Sequence, residues 1–568
     1  MWLHFIDKIL IKPYFHPMIS ILLKSLLLLS VVLTLSAGMH AQTMGLFMQS
    51  EAAQNGYTLI APSSSEEVYL IDNCGKEIHQ WVTNSTPGLS TYLLENGDLL
   101  RTGRIPSSFG GGGTGGRIER ISWNSDLLWG YTFSTEDYHQ HHDVELLPNG
   151  NILVIAWELV DRQIIMDAGR SSVGASGFWG CLITEIEPIG TDDANIVWEW
   201  RAIDHLVQDA DSSLANFGVI SDFPERIDVN LDPGQSTDWL HVNGIDYHEE
   251  FDQIVLSVHD VHEVWVIDHS TTTAEAAGST GGRYGKGGDL LYRYGNPQNY
   301  GRGDVDDQVL FGQHDAQWID PGLPGAGSMM VFNNGLDRST GPNFSTVDVW
   351  QPAVDSVGNY ILEQNQPYLP TTPDWSVGDS GLVSFYSSRI SGAQRLQNGN
   401  TLICVGRDGE LIEVDEMGEL VWNYINPVGN IRYEQGQNPS RNDMFRAYRY
   451  ARSYGAFQGR MLTPGEPLEI NPLPYNCDIF SSTDLVQQPT TVFNLYPNPA
   501  MDRITIDYFS NSVGIFQIFS ATGQSMLDGV LERNATIELS DFESGLYLCV
   551  VIDERTGKKQ GLQFIVSK

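Results

Sequence analysis

Three histidines stand at equivalent positions in three copies of one repeated hairpin. They are His142, His241 and His314, and Ser391 takes the same position in a fourth copy. Repeats that close into a ring bring equivalent positions towards one axis. We therefore expect these side chains to line one small cavity, although they are spread over a long stretch of the chain.

The second strands of the same hairpins end at residues that should join this cavity. By position in the repeat these are Trp157, His259 and Asn334, because the end of the second strand lies at the same edge as the start of the first. Neutral imidazole is a common metal ligand. Alternatively, one imidazole attacks an electrophile while its neighbours donate protons or stabilise developing charge. Spacing leaves both chemistries open.

The residues beside the repeated histidines, and the histidines outside the repeat, are expected to lie outside the cavity or to support it. Asp143 and Asp315 directly follow two of them, and alternation along a strand predicts that these carboxylates face away. We expect them to hydrogen-bond to backbone or to neighbouring repeats. Five histidines without this registration are predicted at the surface or behind the cavity, namely His139, His141, His248, His262 and His269. His141 becomes the alternative to His142 if the register slips by one.

The repeated unit that must position these residues is a pair of β-hairpins. Its first turn contains Asn-Gly, at Asn96-Gly97, Asn149-Gly150 and Asn398-Gly399, which is typical of a type I′ turn with positive φ at both central residues. A second hairpin follows each time. Four strands in a unit that recurs about six times predict an all-β fold, a six-bladed β-propeller.

The composition limits the classes of function. The chain has 568 residues and a formal net charge of −39, so no basic stripe is available to bind nucleic acid. Its five cysteines are widely spaced without a CxxC pair, which argues against a metal–thiolate site or a disulfide framework and leaves room for one bridge. These features fit an exported protein.

The chain divides into four predicted segments. Residues 1–41 combine lysines, an apolar run and small residues before Ala41-Gln42, the pattern of a signal peptide. We assign 42–480 to the propeller, 481–491 to a polar linker and 492–568 to a small C-terminal β-sandwich.

The C-terminal segment resembles a known sorting domain. Tyr496-Pro-Asn-Pro499, the turn Thr522-Gly523, Ser544-Gly-Leu-Tyr547 and a final strand ending at Lys568 are similar to the type A sorting domain of the Bacteroidetes type IX secretion system. This resemblance implies the type IX machinery as a partner and transport across the outer membrane. It places the protein outside the cell, either released or on the surface.

Motifs over roughly residues 138–430 resemble the bacterial aryl-sulfate sulfotransferases. In chain order they are His141–Asp143, Asp238–Asn243, Phe311–Gln317, Phe332–Gly335 and Ser391–Leu402. The resemblance implies a six-bladed propeller that moves a sulfuryl group from a phenolic sulfate ester to another phenol. It also implies a ping-pong route through a sulfated histidine, without a nucleotide donor, a metal or another cofactor.

The same resemblance implies individual roles. His314 would be the nucleophile, His241 and Asn243 would bind the sulfuryl oxygens, and His142 would be a donor or general acid to the phenolic oxygen. Further substrate-binding candidates are His259, Asn334, His141 and Arg395.

The chain departs from the family pattern at one position. His259 stands where the family commonly has an arginine, and a histidine supplies that charge only when protonated. Assistance from Arg389, Arg395 or Arg407 is the expected compensation.

Two other functions stay open at this level. One is a metal-dependent propeller hydrolase or lyase that uses His142, His241 and His314 as ligands. The other is a non-catalytic surface propeller that binds glycan or protein, for which Trp157, Trp318 and Trp375 would offer stacking surfaces.

Overall fold

The structure is a computed structural model that describes most of the chain after the first 41 residues. It covers 42–568 apart from 175–176, 232–236, 339–342, 379–382, 474–476, 478–492, 499, 509–513, 521–524, 532 and 554–558. The predicted signal peptide and the predicted linker therefore lie outside the described residues. Two compact units are present, a larger one within 43–485 and a C-terminal one within 486–568. No helix in the described part is long and apolar enough to cross a membrane.

The larger unit is built almost entirely of β-strands, which confirms the all-β prediction. In chain order its strands are β1 (Gly45–Gln49), β2 (Gly56–Pro62), β3 (Glu67–Asp72), β4 (Glu77–Val82), β5 (Pro87–Leu93), β6 (Leu99–Arg104), β7 (Gly116–Ile121), β8 (Leu127–Thr132), β9 (Tyr138–Leu146), β10 (Ile152–Val160), β11 (Phe178–Ile189), β12 (Asp193–Arg201), β13 (Leu206–Val207), β14 (Ile227–Asp228), β15 (Val242–His248), β16 (Gln253–Val258), β17 (Glu263–Asp268), β18 (Tyr292–Tyr294), β19 (His314–Trp318), β20 (Met329–Asn333), β21 (Thr346–Trp350), β22 (Trp375–Val377), β23 (Gly392–Arg395), β24 (Thr401–Val405), β25 (Glu410–Val414), β26 (Leu420–Ile425) and β27 (Met444–Ala451).

Helices are few and short in the described residues. The α-helices are α1 (Arg162–Asp167) and α2 (Thr273–Ala276). Single 3₁₀ turns occur at Ala202–Asp204, Ile220–Asp222, Pro297–Tyr300, Val305–Asp307, Gly406–Asp408 and Gly455–Phe457.

Antiparallel sheets of four or five strands organise the larger unit. Among the described residues their orders are β27-β2-β3-β4, β5-β6-β7-β8, β9-β10-β11-β12, β15-β16-β17-β18, β19-β20-β21-β22 and β23-β24-β25-β26-β1. β13 and β14 form a separate parallel pair. The first strand in each of the six orders, which we call the inner strand, packs against the inner strand of the next sheet, and β27 packs against both β5 and β23. The strands are rich in β-branched and aromatic residues that suit a buried pleated surface; every residue of β16, β17 and β20 is buried.

The two ends of the larger unit are joined. β27, near its C-terminal end, hydrogen-bonds to β2, near its N-terminal end, and β1 adds to the outer edge of the last sheet through β26. Cys74 and Cys477 form a disulfide with Cα atoms 5.8 Å apart. The single bridge that the cysteine spacing left open is therefore present.

The Asn-Gly turns take a different form from the one predicted. Gly97, Gly150 and Gly399 have φ of 93°, 89° and 94°, whereas the preceding asparagines are not in the positive-φ region. Each glycine N–H donates to the carbonyl three residues before it, the geometry of a type I turn followed by a left-handed glycine. The asparagine side chain accepts from the backbone N–H two residues on, which favours this form. The type I′ prediction was wrong.

Several inner strands carry a β-bulge beside the repeated histidines. The register shifts between Val154 and Ala156 opposite β9, between Val242 and Gly244 in β15, and between His314 and Gln317 in β19. The bulges coincide with positive φ at His142 (54°), His241 (48°) and Asp315 (60°). A bulge bends its strand and re-aims a side chain. This local distortion turns the histidines relative to the regular alternation.

The C-terminal unit is also all β. Its strands are β28 (Phe493–Tyr496), β29 (Arg503–Tyr508), β30 (Gly514–Ser520), β31 (Ser525–Leu531), β32 (Ala535–Glu538), β33 (Gly545–Asp553) and β34 (Lys559–Val566). They pair in the orders β28-β29-β32 and β31-β30-β33-β34. Phe493 and Ile504 of the first sheet share one buried core with Phe516 and Phe564 of the second.

Candidate active site

Four imidazoles follow one another in contact inside the larger unit. The ring centroids of His142 and His241 are 4.7 Å apart, those of His241 and His259 are 5.2 Å apart, and those of His259 and His314 are 5.3 Å apart. We call these four residues the histidine row. Edge-on contacts of this kind are a favourable arrangement for rings. The structure thus brings together the three repeat-equivalent histidines and places His259 among them.

Hydrogen bonds fix the orientation of His314 at one end of the row. Asn334 Nδ2 donates to the carbonyls of Ser387 and Ile390, at 2.8 and 3.0 Å, so Asn334 Oδ1 faces His314 Nδ1 at 2.8 Å. The backbone N–H of Ile390 donates to His314 Nε2 at 3.1 Å. Because an amide N–H can only donate, the proton of the neutral ring sits on Nδ1 and the lone pair on Nε2.

Burial controls the charge of His314. Loss of hydration, followed by repulsion from the neighbouring His259, lowers the pKa of His314 well below its ordinary value. The ring is therefore neutral at physiological pH. A neutral imidazole with an oriented Nε2 lone pair has the electronic state that a nucleophile requires.

His241 has the opposite tendency because a carboxylate touches it. Its Nδ1 lies 2.6 Å from Asp238 Oδ2. Burial by itself would lower the pKa of His241, but the charge of Asp238 and this hydrogen bond raise it above the ordinary value. His259 has a similar contact, with Nδ1 2.5 Å from Asp260 Oδ1. The middle of the row is thus supplied with carboxylates, whereas its end at His314 is not.

The other end of the row consists of a neutral histidine pair. His141 Nδ1 and His142 Nδ1 are 2.8 Å apart, so one ring donates to the other. Burial lowers the pKa of both rings well below the ordinary value. His141 stacks on Trp157 with centroids 4.1 Å apart, and Phe109 lies on the same indole at 6.1 Å. This end therefore offers aromatic surface and a neutral N–H.

The two predicted asparagines hold the polypeptide around His314. Asn243 Nδ2 donates to the carbonyl of Gln313 at 2.9 Å, and its Oδ1 is buried without a hydrogen-bond partner among the described residues. Asn334, predicted to bind substrate, has its side chain committed to His314 and to two carbonyls. In this arrangement Asn334 orients the ring of His314, and its predicted role in substrate binding stays a prediction.

Arg395 does not join the histidine row. Its Nη1 donates to the carbonyl of Gly399 at 2.7 Å, and its guanidinium lies 5.3 Å from the centroid of Trp375. It lines a separate cavity of about 630 Å³ together with Glu145 and Tyr448. Arg395 is four residues beyond Ser391, about 13 Å along an extended strand. In this arrangement Arg395 lies apart from the histidine row, and its predicted role in substrate binding stays a prediction.

Sequence reasoning missed a buried arginine beneath the row. Arg446 Nη1 lies 2.7 Å from Asp143 Oδ2, and its Nε lies 3.0 Å from Asp315 Oδ1. Asp143 also accepts from Tyr92, and Asp315 accepts from the N–H of Ala393 in the next sheet. The two aspartates thus tie neighbouring sheets together, as predicted. Arg446 itself lies on β27, outside the run of motifs that drew attention to the histidines.

A glycine-rich loop was also missed. Residues 110–113 are all glycine, and Gly113 has φ of 80° and accepts from the N–H of His142 at 2.8 Å. A Cβ atom built on Gly113 would lie 2.2 Å from the ring of His142, and one on Gly112 would lie 3.5 Å from the ring of His241. The signal was present in the sequence as a run of glycines, but nothing in the repeat pattern connected it with the histidines.

The remaining histidines lie outside the row. His269 bonds to Asp252 at 2.7 Å and to Glu185 at 3.0 Å, and these carboxylates outweigh burial and raise its pKa to about 9. Burial lowers the pKa of His139 and of His262 to about 4. His248 stacks on Phe251. Within the described residues, no three or more His, Cys, Asp or Glu side chains are grouped so that they could hold a metal ion.

Comparison with known proteins assigns most of the chain to two family models. The arylsulfotransferase (ASST) model matches residues 48–438, and the model of a secretion system C-terminal sorting domain matches residues 494–566. None of the curated proteins matches the chain.

Similar solved structures are distant from this chain. A Bacteroides caccae protein of unknown function is 12% identical with a TM-score of 0.36, over 66% of this chain and 94% of its own. A streptogramin B lyase is 11% identical with a TM-score of 0.31, over 70% and 87%. The virginiamycin B lyase of Staphylococcus aureus is 9% identical with a TM-score of 0.30, over 68% and 89%.

Proposed function

Because the chain belongs to the arylsulfotransferase family, we propose that it transfers a sulfuryl group from a phenolic sulfate ester to a phenol through a sulfated His314. The six sheets would be the blades of a six-bladed propeller, and the C-terminal unit a small sandwich. The sorting domain means that the protein is exported, either secreted or displayed at the cell surface, by the type IX machinery.

The observation that carries this proposal is the state of His314. Its Nδ1 is tied to Asn334, its Nε2 keeps a lone pair, and burial keeps the ring neutral. In the first half-reaction Nε2 attacks the sulfur of the donor, an N–S bond forms, and the S–O bond to the aryl group breaks. In the second half-reaction the oxygen of an acceptor phenol attacks the same sulfur and the N–S bond breaks.

The departing aryloxide needs a proton, and we assign this proton to His241. Asp238 raises the pKa of His241, whereas burial lowers the pKa of His142. The sequence resemblance favoured His142 as the general acid; in our proposal His142 donates a hydrogen bond from a neutral ring instead. His241 takes a proton back from the acceptor phenol, so each cycle restores its charge. A group with a pKa near the working pH suits both steps.

Positive charge near the sulfur offsets the acidity of the whole protein. The formal net charge is −39, which repels an anionic ester at long range. Protonated His241, with His259 beside it, supplies local cationic character within the row. Fixed donors around a transferring sulfuryl group stabilise the charge on its oxygens more effectively than water does.

Mass spectrometry of the protein quenched with an aryl sulfate alone tests the intermediate. We expect one added sulfuryl group on the peptide that contains His314. The His314→Ala variant should show no such group and no transfer to a phenol, because the attacking nitrogen is gone. His248→Ala, which removes a half-buried ring outside the row, is the matched control and should behave as the unchanged protein.

Three results would contradict the proposal. Full transfer activity in His314→Ala would exclude that residue as the nucleophile. Loss of activity on chelation, with release of free sulfate and no labelled peptide, would instead favour a metal-dependent hydrolase. Binding of a glycan or protein without any turnover of aryl sulfates would favour a non-catalytic surface propeller.

A further inference from the structure

The nucleophilic nitrogen of His314 is covered by a backbone amide. The N–H of Ile390 donates to Nε2 at 3.1 Å, while Nδ1 bonds to Asn334. Both ring nitrogens are therefore engaged. An imidazole nitrogen has one lone pair, so the bond from Ile390 and a bond to sulfur cannot exist together.

The segment that presents this amide, residues 387–391, has an unusual backbone. We call it the strap. Ile390 has φ of 49° and Ser391 has φ of 94°, and a β-branched residue with positive φ is a genuine outlier. Such a conformation persists only where the surroundings determine it, and it clusters at functional sites.

The strap is held from several sides. Asn334 Nδ2 donates to its carbonyls at Ser387 and Ile390, and the N–H of Ser391 donates to the carbonyl of Phe445 at 3.0 Å. The side chain of Ile390 packs against Leu89 and Phe445. The same asparagine thus positions both the ring of His314 and the amide that faces it, which fixes the distance between them.

We propose that the backbone N–H of Ile390 is a catalytic donor that moves from His314 Nε2 to a sulfuryl oxygen during transfer. This inference rests on the proposed function. As Nε2 attacks sulfur, its lone pair becomes the N–S bond, and the aryl S–O bond breaks with a proton from His241 to the aryloxide. The N–H of Ile390 loses its acceptor at that moment, and the oxygens on the arriving sulfur are the nearest new acceptors.

This exchange favours the transition state over the ground state. The amide gives up a bond to a neutral nitrogen and gains one to an oxygen on which negative charge is concentrated, and hydrogen bonds to charged groups are the stronger kind. An interaction that strengthens along the reaction raises the turnover rate rather than the affinity. The strap also keeps Nε2 covered until a sulfate ester displaces it.

An amide-to-ester exchange at residue 390 isolates this N–H. The α-hydroxy counterpart of isoleucine is introduced at position 390 in the full chain, which removes the N–H and keeps the side chain. The same exchange at Ile412, a buried residue of β25 in the same sheet, is the matched control. The probes are 4-nitrophenyl sulfate as donor and phenol as acceptor.

We expect the ester at 390 to lower kcat by about 10²–10³-fold, the effect of losing one such donor, with a much smaller change in KM. The control ester should stay within about threefold of the unchanged protein. Unchanged kcat for the ester at 390 would overturn the proposal. A faster burst of 4-nitrophenol would overturn it as well, since the amide would then be only a cover. If the unchanged protein forms no sulfated His314, the proposed function fails first, and the two failures are thereby distinguished.

Discussion

The four imidazoles of the histidine row are neighbours but differ in their partners. Adjacent centroids are 4.7–5.3 Å apart, yet Asp238 and Asp260 touch only the two central rings. Like charges repel at these distances, so the row cannot be protonated throughout. A proton on this row is therefore held by a central ring, where a neighbouring carboxylate compensates its positive charge. In the proposed mechanism, one residue type thus provides both a neutral nucleophile and an acid within a single row.

Removing the carboxylate from His241 should change the pH dependence of transfer. In Asp238→Asn the pKa of His241 falls, because burial then acts without compensation. The acid is active only when protonated, so kcat/KM should begin to fall at a lower pH than in the unchanged protein. The shift is measured from pH profiles with a donor whose phenol is a poor leaving group, for which the proton matters most.

The control for this prediction removes a carboxylate from a histidine outside the row. Asp252→Asn takes away a partner of His269 and should leave the profile for transfer in place. An unmoved profile in Asp238→Asn would show that His241 is not the acid.

At the level of elements, the hairpin repeat made part of the site predictable from the sequence, whereas the bulges did not follow from any sequence pattern. The hairpin repeat located His142, His241, His259 and His314 because equivalent positions share an edge. It did not foresee that positive φ at His142 and His241 re-aims these side chains. The contacts that orient them lie far along the chain: Ile390 on His314 is one example. No local pattern encodes such a contact, so the tautomer of His314 and the role of Asn334 required the structure.

The glycine loop 110–113 gives a prediction at this level. Gly113→Ala should reduce kcat/KM by on the order of 100-fold or more, the effect expected when a catalytic group is displaced by about 1 Å. The new Cβ would lie 2.2 Å from the ring of His142, and the backbone has φ of 80°. Gly110→Ala is the matched control because a Cβ there meets nothing within 4 Å. Equal activity of the two variants would contradict a close fit of the loop on His142.

At the scale of the larger unit, the disulfide joins segments from its two ends. Cys74 and Cys477 are separated by 403 positions, and Cys74 follows β3 in the sheet that β27 completes. The sequence indicated only that one bridge was possible, because widely spaced cysteines do not reveal their pairing. The pairing depends on β27 returning to β2, a long-range contact that no local segment encodes.

Loss of this disulfide should destabilise the larger unit by about 2–5 kcal/mol. The double variant Cys74→Ser, Cys477→Ser should have a lower Tm than the unchanged protein, measured by thermal unfolding of the exported chain. A reductant should lower the Tm of the unchanged protein to that of the variant and leave the variant itself unmoved. Equal Tm values with and without the bridge would mean that the sheets hold the closure by themselves.

The position of Arg446 on β27 sets the order in which the site can be completed. This arginine is the cation between Asp143 and Asp315, which follow His142 and His314, and its strand is the last one along the chain among the described residues of the larger unit. A chain that stops before β27 already contains all four imidazoles but lacks the charge that ties their strands together. We therefore expect the candidate site to be complete only after the strand that carries Arg446 has joined the larger unit.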